Sequence, residues 1–304
     1  MTGPALIALD WGTTSLRAYL LADDGRILDR RQAKAGILQI EGGRFHATLE
    51  TLIAAWQTAH GRLPLITSGM IGSRQGWVEA PYLACPASLD GLAARLVVVP
   101  LGDGGRLHVV PGLAVEGDLP DVMRGEETEL VGLGAMQDGG LYVLPGTHSK
   151  WVLAQGGRIE GFKTYMTGEI FAVLKDHSIL GRLMSEGPAD EAAFLKGVDV
   201  GLEADDRLGG LLHAVFSART LPLMDRLPAT SVAPYLSGIL IGAEIQAGRS
   251  AHGDRTATLV GGGPLVDLYA LAMQRAGLAF TSTPADAAAR GLFIIAGAAG
   301  LMGR

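Results

Sequence analysis

The chain writes nearly the same phrase twice. Leu9 to Leu28 reads LDWGTTSLRAYLLADDGRIL, and Leu144 to Gly161 reads LPGTHSKWVLAQGGRIEG. In both, an apolar run reaches a Gly-Thr-x-Ser turn, a second apolar run follows, and a Gly-Arg-Ile turn closes it. A duplicated hairpin requires a duplicated physical reason, and the tips suggest one. Glycine at a tip lets backbone N–H groups come close to an anion, while neighbouring Thr and Ser hydroxyls add donors without bulk.

Two such turns, Gly12-Thr13-Thr14-Ser15 and Gly146-Thr147-His148-Ser149, are suited to grip one polyphosphate from opposite sides. Either turn alone reads equally well as an ordinary hairpin; their matched sequence and context favour the paired reading. A third glycine-rich element follows in LVGGGPLVDLYALAMQRAG, Leu259 to Gly277. A strand runs into Gly261, Gly262 and Gly263, Pro264 takes the first helical turn, and an amphipathic helix continues. This is the type of turn against which a nucleotide can lie. It matches neither the P-loop pattern nor the G-x-G-x-x-G fingerprint, and protein-kinase signatures are missing.

With 304 residues, the chain is about two domains long. Its net charge of −6 argues against a general nucleic-acid binder. The lone cysteine, Cys85, rules out an intramolecular disulfide and fits a reducing cytosol. The start, MTGPALIALD, has no basic segment before its short apolar run, and Asp10 interrupts that run, so no signal peptide is expected. The apolar stretch Gly291 to Met302 falls short of the ~20 residues of a membrane-spanning helix. The expectation is a soluble cytoplasmic protein that binds neither membrane nor nucleic acid.

Strands are expected at Leu6–Leu9, Ala18–Leu21, Leu65–Ile66, Arg95–Val99, Leu107–Pro111, Leu141–Leu144 and Thr258–Val260. Helical spacing marks Phe45–His60, Arg124–Met136, Glu169–Met184, Ser231–Ala247, Pro264–Ala276 and Pro284–Leu301. The alternation predicts mixed α/β layers. The division is placed near Pro111 to Pro120, giving domains 1–114 and 115–304.

Taken in order, the three glycine elements resemble the nucleotide-binding segments of the sugar kinase, actin and Hsp70 superfamily. Within it, SGMIGSRQGWVEAPYLACP (Ser68 to Pro86), DVMRGEETELVGLGAM (Asp121 to Met136) and LPGTHSKWV (Leu144 to Val152) are similar to the 2-dehydro-3-deoxygalactonokinase family. The ending STPADAAARGLFIIAGAAG (Ser282 to Gly300) resembles the closing helix of sugar kinases. The resemblance implies an α/β fold of two ribonuclease H-like domains, a duplicated actin-like ATPase architecture with a nucleotide cleft between them. It also implies ATP and Mg2+, a small-molecule sugar acid as partner, and transfer of phosphate to the terminal hydroxyl of 2-dehydro-3-deoxy-D-galactonate. A kinase for a related sugar acid such as 2-dehydro-3-deoxygluconate, and an Hsp70- or actin-like switch, are the alternatives. A homodimer is compatible with the sequence, which does not fix the oligomeric state.

Roles follow residue by residue from the resemblance. Asp10, an acid ending an apolar strand, is placed to hold Mg2+ through a water, since burying it without a partner is costly. Glu126, after Gly125, takes the place of the superfamily's catalytic Asp, with Glu127 and Asp121 in reserve; acids in a first helical turn are also favoured by the helix dipole alone. Lys150 reads either as a charge for the γ-phosphate or as a solvated strand-edge lysine. His148 is read as orienting its loop. Arg74, in a glycine-bounded loop, is the candidate for the substrate carboxylate, which a guanidinium engages through two hydrogen bonds; a surface arginine is the plainer reading. Trp77, Tyr82 and Arg17 complete the expected sugar site, with hairpin and packing roles open for Arg17 and Trp77.

Overall fold

A computed structural model of the chain describes residues 3–102, 104–204, 209–283 and 287–302. The chain divides into two compact units. Unit 1 comprises Met1–Gly139, Leu153–Phe162 and Ala285–Arg304; unit 2 comprises Gly140–Val152 and Lys163–Pro284.

In unit 1 the strands are β1 (Pro4–Trp11), β2 (Leu16–Ala22), β3 (Ile27–Ala33), β4 (Leu65–Ser68), β5 (Leu83–Ala84), β6 (Ala87–Ser88), β7 (Val97–Pro100), β8 (Arg106–Val109), β9 (Leu113–Val115) and β10 (Asp121–Met123). Its helices are α1 (Phe45–His60), α2 (Leu89–Ala93), α3 (Glu126–Gly132) and α4 (Ala135–Asp138). The main sheet runs β3-β2-β1-β4-β8-β7. β1 is antiparallel to β2, with Asp10 opposite Arg17, and parallel to β4, with Asp10 opposite Ser68. Ile7, Leu9 and Trp11 alternate onto one face, where Leu49, Ile53 and Trp56 of α1 bury against them; that 2-versus-3.6 matching of periods makes the layer. A small sheet, β10-β9-β5, carries the chain towards α3.

Unit 2 is built from β11 (Gly140–Leu144), β12 (Ser149–Gln155), β13 (Arg158–Tyr165), α5 (Thr167–His177), α6 (Glu191–Leu202), α7 (Gly210–Leu223), α8 (Val232–His252), β14 (Ala257–Val260), α9 (Pro264–Arg275) and β15 (Phe280–Thr283). Its strand order is β15-β14-β11-β12-β13. The outer part of the β12–β13 hairpin belongs to unit 1, where Arg158 and Ile159 pair with Ser88 and Ala87. α6 and α8 touch backbone to backbone: a Cβ on Gly197 would stand 2.1 Å from the Tyr235 carbonyl oxygen, and one on Gly238 2.1 Å from that of Phe194.

The last helix, α10 (Ala287–Ala298), returns to unit 1 and packs on α3, β1, β4 and α2. At its crossing with α3, a Cβ on Gly132 would come 1.9 Å from the Ala287 oxygen and one on Gly291 1.9 Å from the Thr128 oxygen. This contact displaces the expected division at 114/115 to Gly139, because α3 buries its apolar side within unit 1. The expected mixed α/β layering is observed; α1 keeps its expected bounds, α8 runs past the expected Ala247 to His252, and two other helical patterns are cut short. Arg124–Met136 breaks at Gly134, whose φ of +79° ends α3. The pattern at Glu169–Met184 ends as a helix at His177. The expected start of the closing helix at Pro284 lies outside the described residues.

Candidate active site

In unit 1 the first Gly-Thr turn joins β1 to β2. Gly12 N–H donates to the Ser15 carbonyl at 2.9 Å, and Ile37 and Leu38 N–H donate to the Gly12 and Thr13 carbonyls at 3.0 and 3.2 Å. Gly36 presses on the loop so closely that a Cβ there would lie 2.3 Å from the Thr13 carbonyl and the Thr14 nitrogen. The turn is therefore held from behind, while Thr13 and Thr14 stay exposed.

Beside it lies a cluster of carboxylates. Asp10 ends β1 and pairs with Arg17 at 3.0 Å; burial pushes its carboxyl above the ordinary value and Arg17 pulls it part of the way back. The start of α3 is brought to the ends of β1 and β4 by glycine contacts. A Cβ on Gly69 would approach the Trp11 oxygen to 2.8 Å, and one on Gly125, whose φ is +109°, would touch Gly69 at 3.4 Å. Glu126 Oε2 accepts the backbone N–H of Arg124 at 2.9 Å. Glu129, one turn on, has its carboxyl pushed up to about 7 by burial, then by Asp10 and Glu126.

The other acids are otherwise engaged. Glu127 is fully buried and accepts from Gly125 N–H at 2.7 Å and the Thr128 hydroxyl at 3.0 Å. Burial and then Glu126 push its carboxyl up to about 8. Asp121 accepts the N–H of its neighbour Val122 at 2.7 Å. The structure thus groups Glu126 with Asp10, adds Glu129, and gives Glu127 a structural position. Among the described residues, no group of three or more His, Cys, Asp or Glu side chains is arranged to hold a metal.

The expected sugar residues separate. Trp77 packs into the core, edge-on to Trp11 with centroids 6.4 Å apart and stacked on Phe45 at 6.1 Å; its position is that of a packing residue. Arg74 is 86% exposed and paired with Glu79 at 2.8 Å. Tyr82 carries the guanidinium of Arg124 over its ring at 4.4 Å. Arg17 stays with Asp10.

In unit 2 the second turn joins β11 to β12 and is backed in the same manner. A Cβ on Gly168 would meet the Gly146 oxygen at 2.6 Å, and Glu169 N–H donates to the Thr147 carbonyl at 3.0 Å. His148 pairs through Nε2 with Glu169, as a loop-orienting residue would. Lys150 is buried, at 4% exposure, with Nζ donating to the His148 carbonyl at 3.2 Å; the solvated alternative is excluded. Behind the turn, Glu244 of α8 takes Ser149 Oγ at 2.6 Å, Trp151 Nε1 at 2.8 Å, Tyr269 OH at 2.6 Å and the Thr167 hydroxyl. Next to it is an apolar cavity of about 430 Å3, bounded by Gly146, Gly168, Phe171, Pro264, Leu268 and Tyr269 among others. Gly262 and Gly263 have nothing within 4 Å of a Cβ position, so their backbone is open to a ligand.

Glu129, Arg124 and Glu244 are covered charged positions that sequence reasoning did not single out. Glu129 was detectable as the acid three residues after Glu126 on one helix face, and Glu244 as the only acid in the apolar run Tyr235–Gly248.

The chain resembles known proteins along most of its length. The family profile described as 2-keto-3-deoxy-galactonokinase matches residues 10–295. The 2-dehydro-3-deoxygalactonokinase of Escherichia coli (strain K12) is 38% identical over 285 residues, 93% of this chain and 94% of that protein. A crystal structure of a Sinorhizobium meliloti protein described as a 2-dehydro-3-deoxygalactonokinase superposes with a TM-score of 0.87 at 37% identity, covering 97% of this chain and 98% of the other. The activator of 2-hydroxyisocaproyl-CoA dehydratase from Clostridium difficile, at 12% identity, 96% and 95% coverage and a TM-score of 0.51, shares the fold alone. With matched segments that include the first hairpin, the acids of α3, the second hairpin and the glycine turn, the chain belongs to the 2-keto-3-deoxy-galactonokinase family.

Proposed function

We propose that this protein transfers the γ-phosphoryl group of ATP to the C6 hydroxyl of 2-dehydro-3-deoxy-D-galactonate, giving the 6-phosphate and ADP, as a cytoplasmic step of galactonate catabolism. The observation that carries the nucleotide part is the repeat. β3-β2-β1-β4-β8 and β13-β12-β11-β14-β15 are the same strand order, and each places a Gly-Thr-x-Ser turn between its first two strands. That order supports two ribonuclease H-like domains of a duplicated actin-like ATPase. The substrate comes from the family.

In this reading, Gly12 to Ser15 and Gly146 to Ser149 hold the triphosphate through N–H and hydroxyl donors. Gly261 to Gly263 and the apolar cavity beside them take the adenosine. Lys150, anchored on the second turn, supplies fixed positive charge towards the γ-phosphate. Mg2+ carried in with ATP would be held at Asp10 and would supply positive charge against the negative charge that develops in phosphoryl transfer. The residues suit it: Mg2+ keeps most of its waters and needs only one or two carboxylates beside the phosphates. Asp10, whose carboxyl is raised by burial beside Glu129, is a carboxylate that a cation would relieve. Glu126 accepts the proton of the C6 hydroxyl as its oxygen bonds to the γ-phosphorus. The bond from that phosphorus to the bridging oxygen breaks, and ADP carries off the electron pair.

ADP release measured with and without the sugar acid tests the reading. Turnover that requires the sugar acid, with phosphate recovered at C6, is the expected result. ATP hydrolysis indifferent to the sugar acid would instead indicate a nucleotide switch. Faster turnover of 2-dehydro-3-deoxygluconate would reassign the epimer.

A further inference from the structure

Arg74 was the sequence candidate for the substrate carboxylate, yet it extends into solvent and is already matched by Glu79. Its guanidinium belongs to an exposed ion pair of small worth. A second guanidinium lies beside it in a different setting. Arg124 donates from Nη2 to the Ala80 carbonyl at 2.7 Å, places its guanidinium carbon over the Tyr82 ring 4.4 Å from the centroid, and is backed by Gly72, where a Cβ would stand 2.9 Å from Nη1. Both its Nε and its Nη1 are buried without a hydrogen-bond partner among the described residues, and so is Ser73 Oγ. Buried donors are nearly always satisfied, and a buried cation without a counter-charge is costly. All three atoms belong to residues bounding one cavity of about 510 Å3, which Met70, Gln75, Tyr82 and the Arg74–Glu79 pair also line.

We propose that Arg124 and Ser73 form the subsite that reads the carboxylate end of a 2-keto acid, with Tyr82 as the plate that keeps the guanidinium flat. This rests on the sugar-acid reading above and replaces Arg74 in it. The site is preorganised. The loop bearing Ser73 closes through Trp77 N–H to the Ile71 carbonyl at 2.9 Å, and a Cβ on Gly76 would overlap the Ile71 oxygen at 2.1 Å. It is also coupled to the chemistry, since the backbone N–H of Arg124 holds Glu126 at 2.9 Å. A carboxylate seated on the Arg124 side chain is thus fixed two residues from the proposed base. Changing the side chain leaves that backbone bond in place, so binding and turnover separate.

The test compares Arg124→Gln, Ser73→Ala and Arg74→Ala with the unsubstituted protein, using the 2-keto-3-deoxy sugar acid and its neutral C1 amide as acceptors. For Arg124→Gln we expect KM for the acid to rise about 10- to 100-fold, the usual range for a lost hydrogen bond to a charged group. KM for ATP should hold within about two-fold, and the preference for acid over amide should collapse. Ser73→Ala is expected to shift the same preference less, and Arg74→Ala to leave it. Equal losses on acid and amide in the Arg124 and Ser73 variants would show a structural role and overturn the assignment, as would a collapse of preference in Arg74→Ala alone. If Arg124→Gln melts early, Ser73→Ala decides. No sugar-acid turnover by the unsubstituted protein would defeat the reading beneath the proposal before any variant is made.

Discussion

Replacing Glu244 gives a graded prediction whose size follows from donor chemistry. The Glu244 carboxylate is buried and accepts from Ser149, Trp151, Thr167 and Tyr269, tying β12, α5 and α9 to α8. In Glu244→Ala, the three hydroxyls can rotate towards other acceptors, but the indole N–H of Trp151 is a donor only and stays unsatisfied. Each orphaned buried group costs about 1–3 kcal/mol, and removing one member of a buried charged network about 3–5 kcal/mol in total. The melting temperature should therefore fall by on the order of 10 °C. Glu244→Gln keeps one oxygen for Ser149 and Trp151, and its amide can donate to the hydroxyl oxygens of Thr167 and Tyr269, so it should cost only about 1 kcal/mol. The pH dependence separates both variants from the parent. Burial raises the Glu244 carboxyl, so the folded state binds its proton more tightly than the unfolded chain does. Stability from this group is fully present below the ordinary carboxylate value and is lost as pH rises through the folded value; Gln removes that slope. Melting scans by circular dichroism from pH 4 to pH 9 read both effects. A Gln variant as damaged as the Ala variant, or an Ala variant as stable as the parent, would refute the network.

Three further outcomes are expected. Glu126→Gln should lose about 10²- to 10⁴-fold in kcat while ATP binding, followed by calorimetry, is retained; unchanged turnover removes Glu126 from the role. Gly291→Ala would force a methyl to 1.9 Å from the Thr128 oxygen, so α3 and α10 must separate at a cost of about 1–3 kcal/mol or more, seen as a lower midpoint in urea. The carboxyls of Glu129 and Glu127, raised to about 7 and about 8 from 4.5, bind protons in the folded state that the unfolded chain has released. Stability should therefore decline as pH climbs from about 4.5 to about 8, and Glu129→Gln should flatten that decline below about pH 7, leaving the part up to about 8 to Glu127.

Features written locally were legible in the sequence. The two turns, the strands that flank them and the glycine turn before α9 carry short-range signals in glycine, proline and apolar alternation. α1 was placed residue for residue, from Phe45 to His60. α6 and α7 were missed because their apolar residues face helices as well as sheet, which blurs a single stripe. β3 was missed because an edge strand reading ILDRRQA is mostly polar. Among the acids of α3, sequence could not choose, since Glu126 and Glu127 differ only in which side of a short helix they occupy. Burial tells the two apart: Thr128, Leu130, Val131 and Gly132 are covered within unit 1, and Glu127 turns inward with them. The Arg124 subsite was equally out of reach, because a side chain's lack of a partner is a property of its surroundings.

The repeated turns also show what repetition in the sequence does and does not encode. Both write the same donors, and both are pressed from behind by a glycine, Gly36 on Thr13 and Thr14, Gly168 on Gly146 and Thr147. The supporting glycines lie at nearly the same distance along the chain, Gly36 24 residues after Gly12 and Gly168 22 after Gly146, each just past the third strand of its hairpin. Both turns take a backbone bond from just past that glycine, Leu38 N–H on the Thr13 carbonyl and Glu169 N–H on the Thr147 carbonyl, and the second is anchored further by Ser149 and Trp151 side chains converging on Glu244. A loop that must present N–H groups to an anion has little freedom in its own residues, but any scaffold that fixes its backbone will serve. Disturbing Glu244 should therefore loosen the second turn and leave the first intact.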